Sequence, residues 1–526
     1  ARAKINVQGR STGSVAGFVA KVLARAGVYT PDSEDAVAKK IEADSLKRHK
    51  KHRHSKSGRP RSAAERSNAS HKGQKAARAS RENVASSKKH AAHALASGQG
   101  AAEKKQNGSG ASKHRRRRGS RGRGKMRASN NRQNGQRGPP IKSRKGESPK
   151  MANSRLERMR ENMSACGIDD FYCRDISNVQ WLTEFEGVFD DEPAHLAFVT
   201  PKKAFVHTDS RYADACDRAS QHTPWIIDAC GGAHAAWVAR QFAAFHAAAG
   251  TLEGENVCAM GIEDSIELRE FRELERAFSE AKWRPRFAET DGFVKKMRAV
   301  KDERELSAMR AAQAITDAAF EHIVEFMSEG MTELEVKREL EETMRRLGAE
   351  GLAFDSIVAS GPNGAAPHSI AGERRLQAGD MVVMDFGARK GGYCSDMTRT
   401  VCVGEATPLA REVFAAVREA NEAVEAMIRP GRTGAAMHHL AEDVLAHNGF
   451  AGKMGHGLGH GVGIDIHELP VLSPRNETSL EVGNVVTVEP GVYLPGEIGC
   501  RLEDFGVVTE DGFEVFTKST HELVII

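Results

Sequence analysis

Several features are missing from this 526-residue chain, and each absence narrows what it can be. None of the eight cysteines (Cys166, Cys173, Cys216, Cys230, Cys258, Cys394, Cys402 and Cys500) stands in a C-x-x-C pair, and their spacing describes no disulfide framework. Scattered free thiols fit a reducing compartment, so a cytoplasmic protein is expected. No run of about 18 apolar residues occurs, which excludes a membrane-spanning helix. The apolar stretch 15–23 is broken by Gly17 and Lys21 and lacks a cleavage signature, so it is not read as a signal peptide. Gly9-Arg10-Ser11-Thr12-Gly13-Ser14 lacks the G-K-[ST] ending of a phosphate loop, and with it the lysine that reaches a phosphate. The chain opens on Ala1 rather than Met, so a trimmed or partial chain is one expectation.

Charge is unevenly distributed. Residues 46–150 hold 32 Lys+Arg against 4 Asp+Glu, a net +28, while 151–526 hold 38 against 62, a net −24. The overall +6 therefore describes neither part. The basic stretch, densest at Arg115–Arg118, has almost no large apolar residue and cannot bury enough surface to offset its ordering entropy. Disorder is predicted there. Such a charge binds DNA or RNA phosphates without sequence preference. Because aromatic residues are absent from it, base stacking is excluded. A solvated tail resting on nothing, or on the acidic remainder, explains the same composition.

Four segments follow. Residues 1–45 contain a short helical segment of unknown role, and 46–150 form the disordered basic extension. Residues 151–295 alternate helix and strand signals in a modest α/β domain. A hairpin is predicted from the β-rich runs 195–200 and 204–208, and an amphipathic helix over 262–280. Residues 296–526 form a larger α/β domain. Its first helix is expected over 302–327, and Thr332-x-x-Glu335 is a capping box opening a second helix that Gly348 ends. Strands are expected near 353–359, 381–386 and 398–403, helices over 409–428 and 434–448, and last strands near 485–488 and 505–509. Paired helices followed by strands, twice over, predict two similar halves enclosing a sheet.

This last region concentrates histidines and carboxylates beside glycines: Pro367-His368, Asp385-Phe386-Gly387, Ser395-Asp396, Gly455 to Gly461 with His456 and His460, His467-Glu468, Glu489-Pro490-Gly491 and Arg501-Leu502-Glu503-Asp504. Any one of them alone has a bland explanation, such as a turn-capping acid or a satisfied histidine. Together, acids at the ends of several apolar strands and a histidine among glycines make a coherent donor set. Oxygen ligands with one imidazole suit Mn²⁺, Co²⁺ or Zn²⁺. Four carboxylates are more charge than one ion needs. Two ions sharing bridging carboxylates neutralise them and leave a metal-bound hydroxide between.

The pattern resembles the pita-bread metallopeptidase family (peptidase family M24), which includes methionine aminopeptidase, aminopeptidase P and prolidase. The resemblance covers about residues 296–526 and implies a pita-bread catalytic domain with two divalent metal ions, manganese foremost and cobalt or zinc as alternatives. It implies that Asp385 chelates one ion, His460 and Glu489 the other, and that Asp396 and Glu503 bridge both. His368 and His467 match histidines that hold the substrate carbonyl and stabilise the tetrahedral intermediate. Glu489 also matches the proton relay to the leaving amine, and His456 a further active-site histidine of the proline-specific branch. Arg501, expected close to Glu503, either orients substrate or simply pairs with an acid.

Ser395-Asp396-Met397-Thr398-Arg399-Thr400, Val488-Glu489-Pro490-Gly491-Val492-Tyr493 and Gly499-Cys500-Arg501-Leu502-Glu503-Asp504 look like aminopeptidase P and prolidase. Asn178-Val179-Gln180-Trp181-Leu182-Thr183 and Thr208-Asp209-Ser210-Arg211-Tyr212 resemble, more weakly, a creatinase-like N-terminal domain. The resemblance implies hydrolysis of Xaa-Pro bonds in small peptides by a homodimer. A bond before proline has no N–H and its ring obstructs ordinary peptidases, whereas two-metal chemistry needs only a polarised carbonyl, a placed nucleophile and a proton for the departing nitrogen. A methionine-aminopeptidase-like enzyme, a non-peptidase hydrolase and a metal-free member of the fold are the competing readings. Dipeptidase and longer-peptide aminopeptidase stay open.

Overall fold

In the computed structural model, residues 155–190, 192–249 and 258–526 are described. The helical segment expected within 1–45 and the basic extension 46–150 lie outside the described residues. The N-terminal domain runs α1 (Arg155–Ala165), β1 (Asp170–Cys173), α2 (Ile176–Thr183), β2 (Leu196–Val199), β3 (Ala204–His207), α3 (Ala213–Ala219), β4 (Trp225–Asp228), α4 (His234–Ala249), β5 (Ala259–Glu263), α5 (Leu268–Glu280), β6 (Arg286–Thr290) and α6 (Phe293–Arg298). Its six strands form one mixed sheet in the order β4-β3-β2-β1-β5-β6. The predicted hairpin is there, with Val199 opposite Ala204.

The helix expected over 262–280 begins only at Leu268, because 259–263 forms strand β5 between β1 and β6. A central strand buried on both faces reads as an unbroken apolar run and merges with a following helix in any periodicity argument. Gly261 belongs to that strand for a packing reason: a Cβ there would come within 2.6 Å of the Phe171 ring.

The C-terminal domain begins with α7 (Glu303–Phe326) and α8 (Glu333–Arg346), followed by β7 (Gly351–Leu352), β8 (Ile357–Ser360), a 3₁₀ turn (Gly361–Ala365), β9 (Met381–Phe386), β10 (Ala388–Lys390), β11 (Tyr393–Cys394) and β12 (Met397–Cys402). Its second half comprises α9 (Pro408–Met427), α10 (Gly434–His447), β13 (Gly459–Gly461), β14 (Glu468–Leu472), β15 (Val485–Val488), β16 (Gly491–Leu494), β17 (Ile498–Arg501), β18 (Asp504–Val508) and β19 (Phe513–Val515). The Thr332 capping box forms in full: its side chain accepts from the Glu335 N–H, and Glu335 accepts from the Thr332 N–H. The strand expected near 353–359 starts only at Ile357.

The two halves do not enclose one common sheet. Each helix pair covers its own: β12-β9-β8 lies with α7 and α8, and β14-β13-β15-β18-β19 with α9 and α10. A further core joins the two domains, packing Leu156, Phe171, Trp181 and Leu182 with Met309, Val485 and Phe505. Trp181 also donates its indole N–H to Glu305 at 3.0 Å. No described helix is long and apolar enough to cross a membrane.

Candidate metal centre

Antiparallel pairing brings the scattered carboxylates together. β9 and β12 pair with Asp385 opposite Thr398, so Asp396, one residue before β12, faces the same end as Asp385. β15 and β18 pair with Val488 opposite Asp504, which sets Glu489 and Glu503 at one shared end. The Glu503 N–H donates to the Thr398 carbonyl at 3.1 Å, and the Thr398 hydroxyl donates to Glu503 Oε2 at 2.7 Å. Those bonds fasten one half's acids to the other's. Beneath them the buried Arg399 donates to the Thr398 and Glu503 carbonyls and pairs with Asp504 at 2.7 Å.

His460 enters from β13, where the backbone runs close to β15: a Cβ on Gly459 would collide with the Thr487 carbonyl. Its Nδ1 lies 3.0 Å from the Gly461 carbonyl, which only accepts, so Nδ1 carries the proton and Nε2 is a bare lone pair. That Nε2 faces Asp396 Oδ2 at 3.6 Å and Glu489 Oε1 at 3.5 Å. Ligand atoms of Asp396, His460 and Glu503 all lie within 4.8 Å of one another.

The electrostatics are those of a negative cluster short of positive charge. Burial, together with the Glu503, Asp385 and Glu489 carboxyls, pushes Asp396 well above the carboxylate range. Burial, Glu489 and Asp385 do the same to Glu503, and burial takes Glu489 up to about 8. Asp385 is raised by burial against the pull of Arg501, and its Oδ1 is buried without a hydrogen-bond partner. Burial holds His460 down at about 4, hence neutral. Bare imidazole nitrogen and carboxylate oxygens aimed at one space, with an orphaned oxygen at its edge, fit divalent cations. Asp385, Asp396, His460, Glu489 and Glu503 are the residues able to hold them.

Around this cluster the remaining expected residues fall into two groups. Arg501 and His456 are built in. The Arg501 guanidinium donates to Asp385 Oδ2 at 2.6 Å and to Thr398 Oγ1 at 2.9 Å. Its direct partner is thus Asp385 rather than Glu503, because β17 runs against β9. Arg501 also donates to the Tyr493 hydroxyl at 2.9 Å, which lies 3.1 Å from His456 Nε2. His456 Nδ1 sits 2.7 Å from the Gly457 carbonyl, so Nε2 accepts from Tyr493. His467 is exposed and stands edge-on to His460 with ring centroids 4.4 Å apart. His368 is exposed on the loop after the 3₁₀ turn and makes no hydrogen bond to the other site residues.

Tyr493 and Thr398 were not singled out from the sequence, although both sit inside the motifs that carry the resemblance. The signal was their place next to Glu489 and Asp396; which atoms they bridge depends on strand pairing. A cavity of about 320 Å³ lies elsewhere, in the N-terminal domain beside Tyr172, Arg174 and His234. Donor chemistry rather than free volume marks the carboxylate site.

Comparison with known proteins agrees with this geometry. The profile of metallopeptidase family M24 matches residues 307–510, and that of the creatinase/prolidase N-terminal domain matches 155–300. The peptidase YqhT of Bacillus subtilis, itself uncharacterized, is 37% identical over 373 residues, 71% of this chain and 100% of its own length. An Xaa-Pro dipeptidase from Bacillus anthracis superposes with a TM-score of 0.64 at 36% identity, covering 71% of this chain and 99% of that one. An X-Pro aminopeptidase from Thermotoga maritima gives 0.61 at 33% identity, covering 70% and 100%. Sequence matches spanning the whole of a relative, on a fold that brings carboxylates and an imidazole together, lead to one conclusion: the chain belongs to metallopeptidase family M24 and is a metal-dependent peptidase.

Proposed function

We propose that this enzyme hydrolyses Xaa-Pro bonds at the N-terminus of small peptides, with Asp385, Asp396, His460, Glu489 and Glu503 holding two divalent cations, manganese foremost. The observation that carries the reading is the bare Nε2 of His460 facing Asp396 and Glu489 while Glu503 closes the group. Cations held by these residues would supply Lewis-acid polarisation of the scissile carbonyl and lower the pKa of the nucleophilic water.

The chain's own residues do the rest. Glu489 takes the proton of the attacking water and delivers it to the proline nitrogen, which has no N–H of its own. His467 and His368, both exposed, hydrogen-bond the substrate carbonyl and steady the charge it develops. Arg501 fixes Asp385 and, through Tyr493, keeps His456 neutral with its Nδ1–H on Gly457. Similarity to both an Xaa-Pro dipeptidase and an X-Pro aminopeptidase supports proline specificity and leaves two subtypes.

The test uses the chain stripped of metal and reloaded with Mn²⁺, Co²⁺ or Zn²⁺. Release of the first residue is followed from an Xaa-Pro dipeptide, an Xaa-Pro-Yaa tripeptide and a Met-Ala-Yaa peptide, with Asp396→Ala as control. Metal-dependent cleavage of the proline peptides, lost in the variant, is the expected result, and the dipeptide-to-tripeptide ratio names the subtype. Cleavage of the Met peptide alone overturns the specificity, and no cleavage with metal bound overturns the peptidase assignment to proline bonds.

A homodimer follows from the family resemblance, and sedimentation tests it. A cytoplasmic location is supported by eight free thiols. The +28 stretch 46–150 supports non-specific nucleic-acid contact as an accessory property, whose affinity would fall steeply with salt.

A further inference from the structure

A second group of metal-type donors lies in the N-terminal domain, in a different part of the chain from the carboxylate cluster. We propose that His207 Nε2, Asp228 and Cys230 Sγ bind one divalent cation of the zinc class.

Local structure explains why these three meet. β3 and β4 run parallel with His207 opposite Asp228, at the ends of both strands. Asp228 then accepts from the Cys230 N–H at 3.1 Å, a tight turn that folds Cys230 back. Gly231 and Gly232, at φ +69° and +93°, continue that turn in a conformation other residues resist, and it leads directly into α4 at His234. Ligand atoms of His207, Asp228 and Cys230 consequently lie within 4.8 Å of one another. Cys230 Sγ is 3.8 Å from His207 Nε2. Zinc bond lengths of about 2.3 Å to sulfur and 2.0 Å to nitrogen at a tetrahedral angle place the two atoms roughly 3.5 Å apart. A few tenths of an ångström of side-chain movement is all that separates the two.

The surroundings are arranged as those of a ligating histidine. His207 is fully buried, and its Nδ1 lies 2.6 Å from His234 Nδ1, a contact that requires one proton between them. His234 Nε2 points at the Pro193 carbonyl at 3.4 Å, which only accepts. With His234 protonated at Nε2, the shared proton belongs to His207 Nδ1, and His207 Nε2 is bare toward Cys230 and the Gly231 carbonyl, 3.3 Å away. The opposite tautomer satisfies Gly231 and leaves His234 Nε2 bare against Pro193, so a cation at Nε2 selects the first. Burial lowers both histidines, His234 to about 3, which keeps them neutral as ligation requires. Trp237 stacks on the His207 ring at 4.6 Å and donates its indole N–H to Asp228 Oδ2 at 2.8 Å, fixing two of the three donors. Thiolate, carboxylate and neutral imidazole together balance a doubly charged ion. That mixture of soft and hard donors favours zinc over the hard cations.

Nothing in the proposed catalysis uses these residues, and the thiol makes the site spectroscopically distinct. The full chain is stripped of metal and titrated with Co²⁺ in reducing buffer. The carboxylate cluster has no sulfur donor, so a thiolate-to-cobalt charge-transfer band in the near ultraviolet reports the second site alone. The expected result is a band of one-thiolate intensity per chain, bleached by Zn²⁺, absent in Cys230→Ser and Asp228→Asn, with one fewer equivalent of bound metal in each. His234→Ala, which removes the partner that orients His207, should weaken Co²⁺ binding roughly 10–100-fold. No band in the wild-type chain with metal bound at the carboxylate cluster overturns the proposal. So does a band that survives Cys230→Ser, since another thiol would then carry it.

Discussion

Replacing Arg298 with Met tests whether a buried charge cluster holds the two domains together. Arg298 is 2% exposed and donates to Asn178 Oδ1 at 2.7 Å in the N-terminal domain. From the same guanidinium, bonds run to Asp465 Oδ2 at 2.7 Å and to Glu468 in the C-terminal domain. Glu468 also accepts from Lys301 at 3.0 Å. Burial acts to raise the Glu468 carboxyl, yet Lys301 and Arg298 overcome it and hold it at about 2 rather than 4.5. A depressed carboxylate stabilises the fold above its unfolded pKa and loses that contribution as pH falls through the folded value. At pH 7 the shift amounts to about 3 kcal/mol, shared between the two cations. Met substitution forfeits the Arg share and leaves Asp465 and Glu468 with less counter-charge, so a loss of about 3 kcal/mol is expected. In urea, with an m-value of about 3 kcal/mol/M, the midpoint of the metal-stripped chain should fall by about 1 M. Glu468→Gln should cost less in the Arg298→Met background than alone, because Glu468 then has only Lys301 left as its counter-charge. A midpoint drop below about 0.3 M, or fully additive costs, would refute the coupling.

Other consequences follow from the same geometry. His521 lies 2.7 Å from Asp504 and 3.2 Å from Glu422; burial opposes its charge, but these acids raise it to about 9. A raised histidine stabilises fully below its unfolded pKa near 6.5 and loses that as pH rises through 9. The thermal midpoint should therefore decline across that window, by up to roughly 3 kcal/mol of stability, and His521→Gln should flatten the decline. Chelating divalent ions should lower the melting temperature, since four clustered carboxyls lose their counter-charge; an unchanged melt in EDTA would argue against the metal fit. Gly387→Ala would drive a Cβ into the Ser395 carbonyl between the strands bearing Asp385 and Asp396. It should cost roughly 1–3 kcal/mol and most of the peptidase activity, measured by denaturation and by proline-peptide turnover.

Local chemistry determined a good deal from the sequence alone. The Thr332 capping box, the 196–207 hairpin, the long helices of the C-terminal domain and the apolar strands ending in acids all depend on neighbours a few residues apart, and the chain spells those out. The five residues proposed as metal ligands could be picked out for the same reason, since each acid or histidine stands in a short local motif. Strand β5 was not, because a doubly buried strand and the start of a helix share one apolar signature until the sheet places Gly261 against Phe171. Tertiary structure alone decided that Arg501 reaches Asp385, 116 residues away, rather than Glu503 two residues on, and that Tyr493 links it to His456. It also decided that Arg298 joins Asn178 to Glu468, and that His207 meets Asp228 and Cys230. The physical reason is common to all of them. Spacing along the chain fixes which face of a strand a side chain occupies, but only the pairing of one strand with another fixes what that face meets.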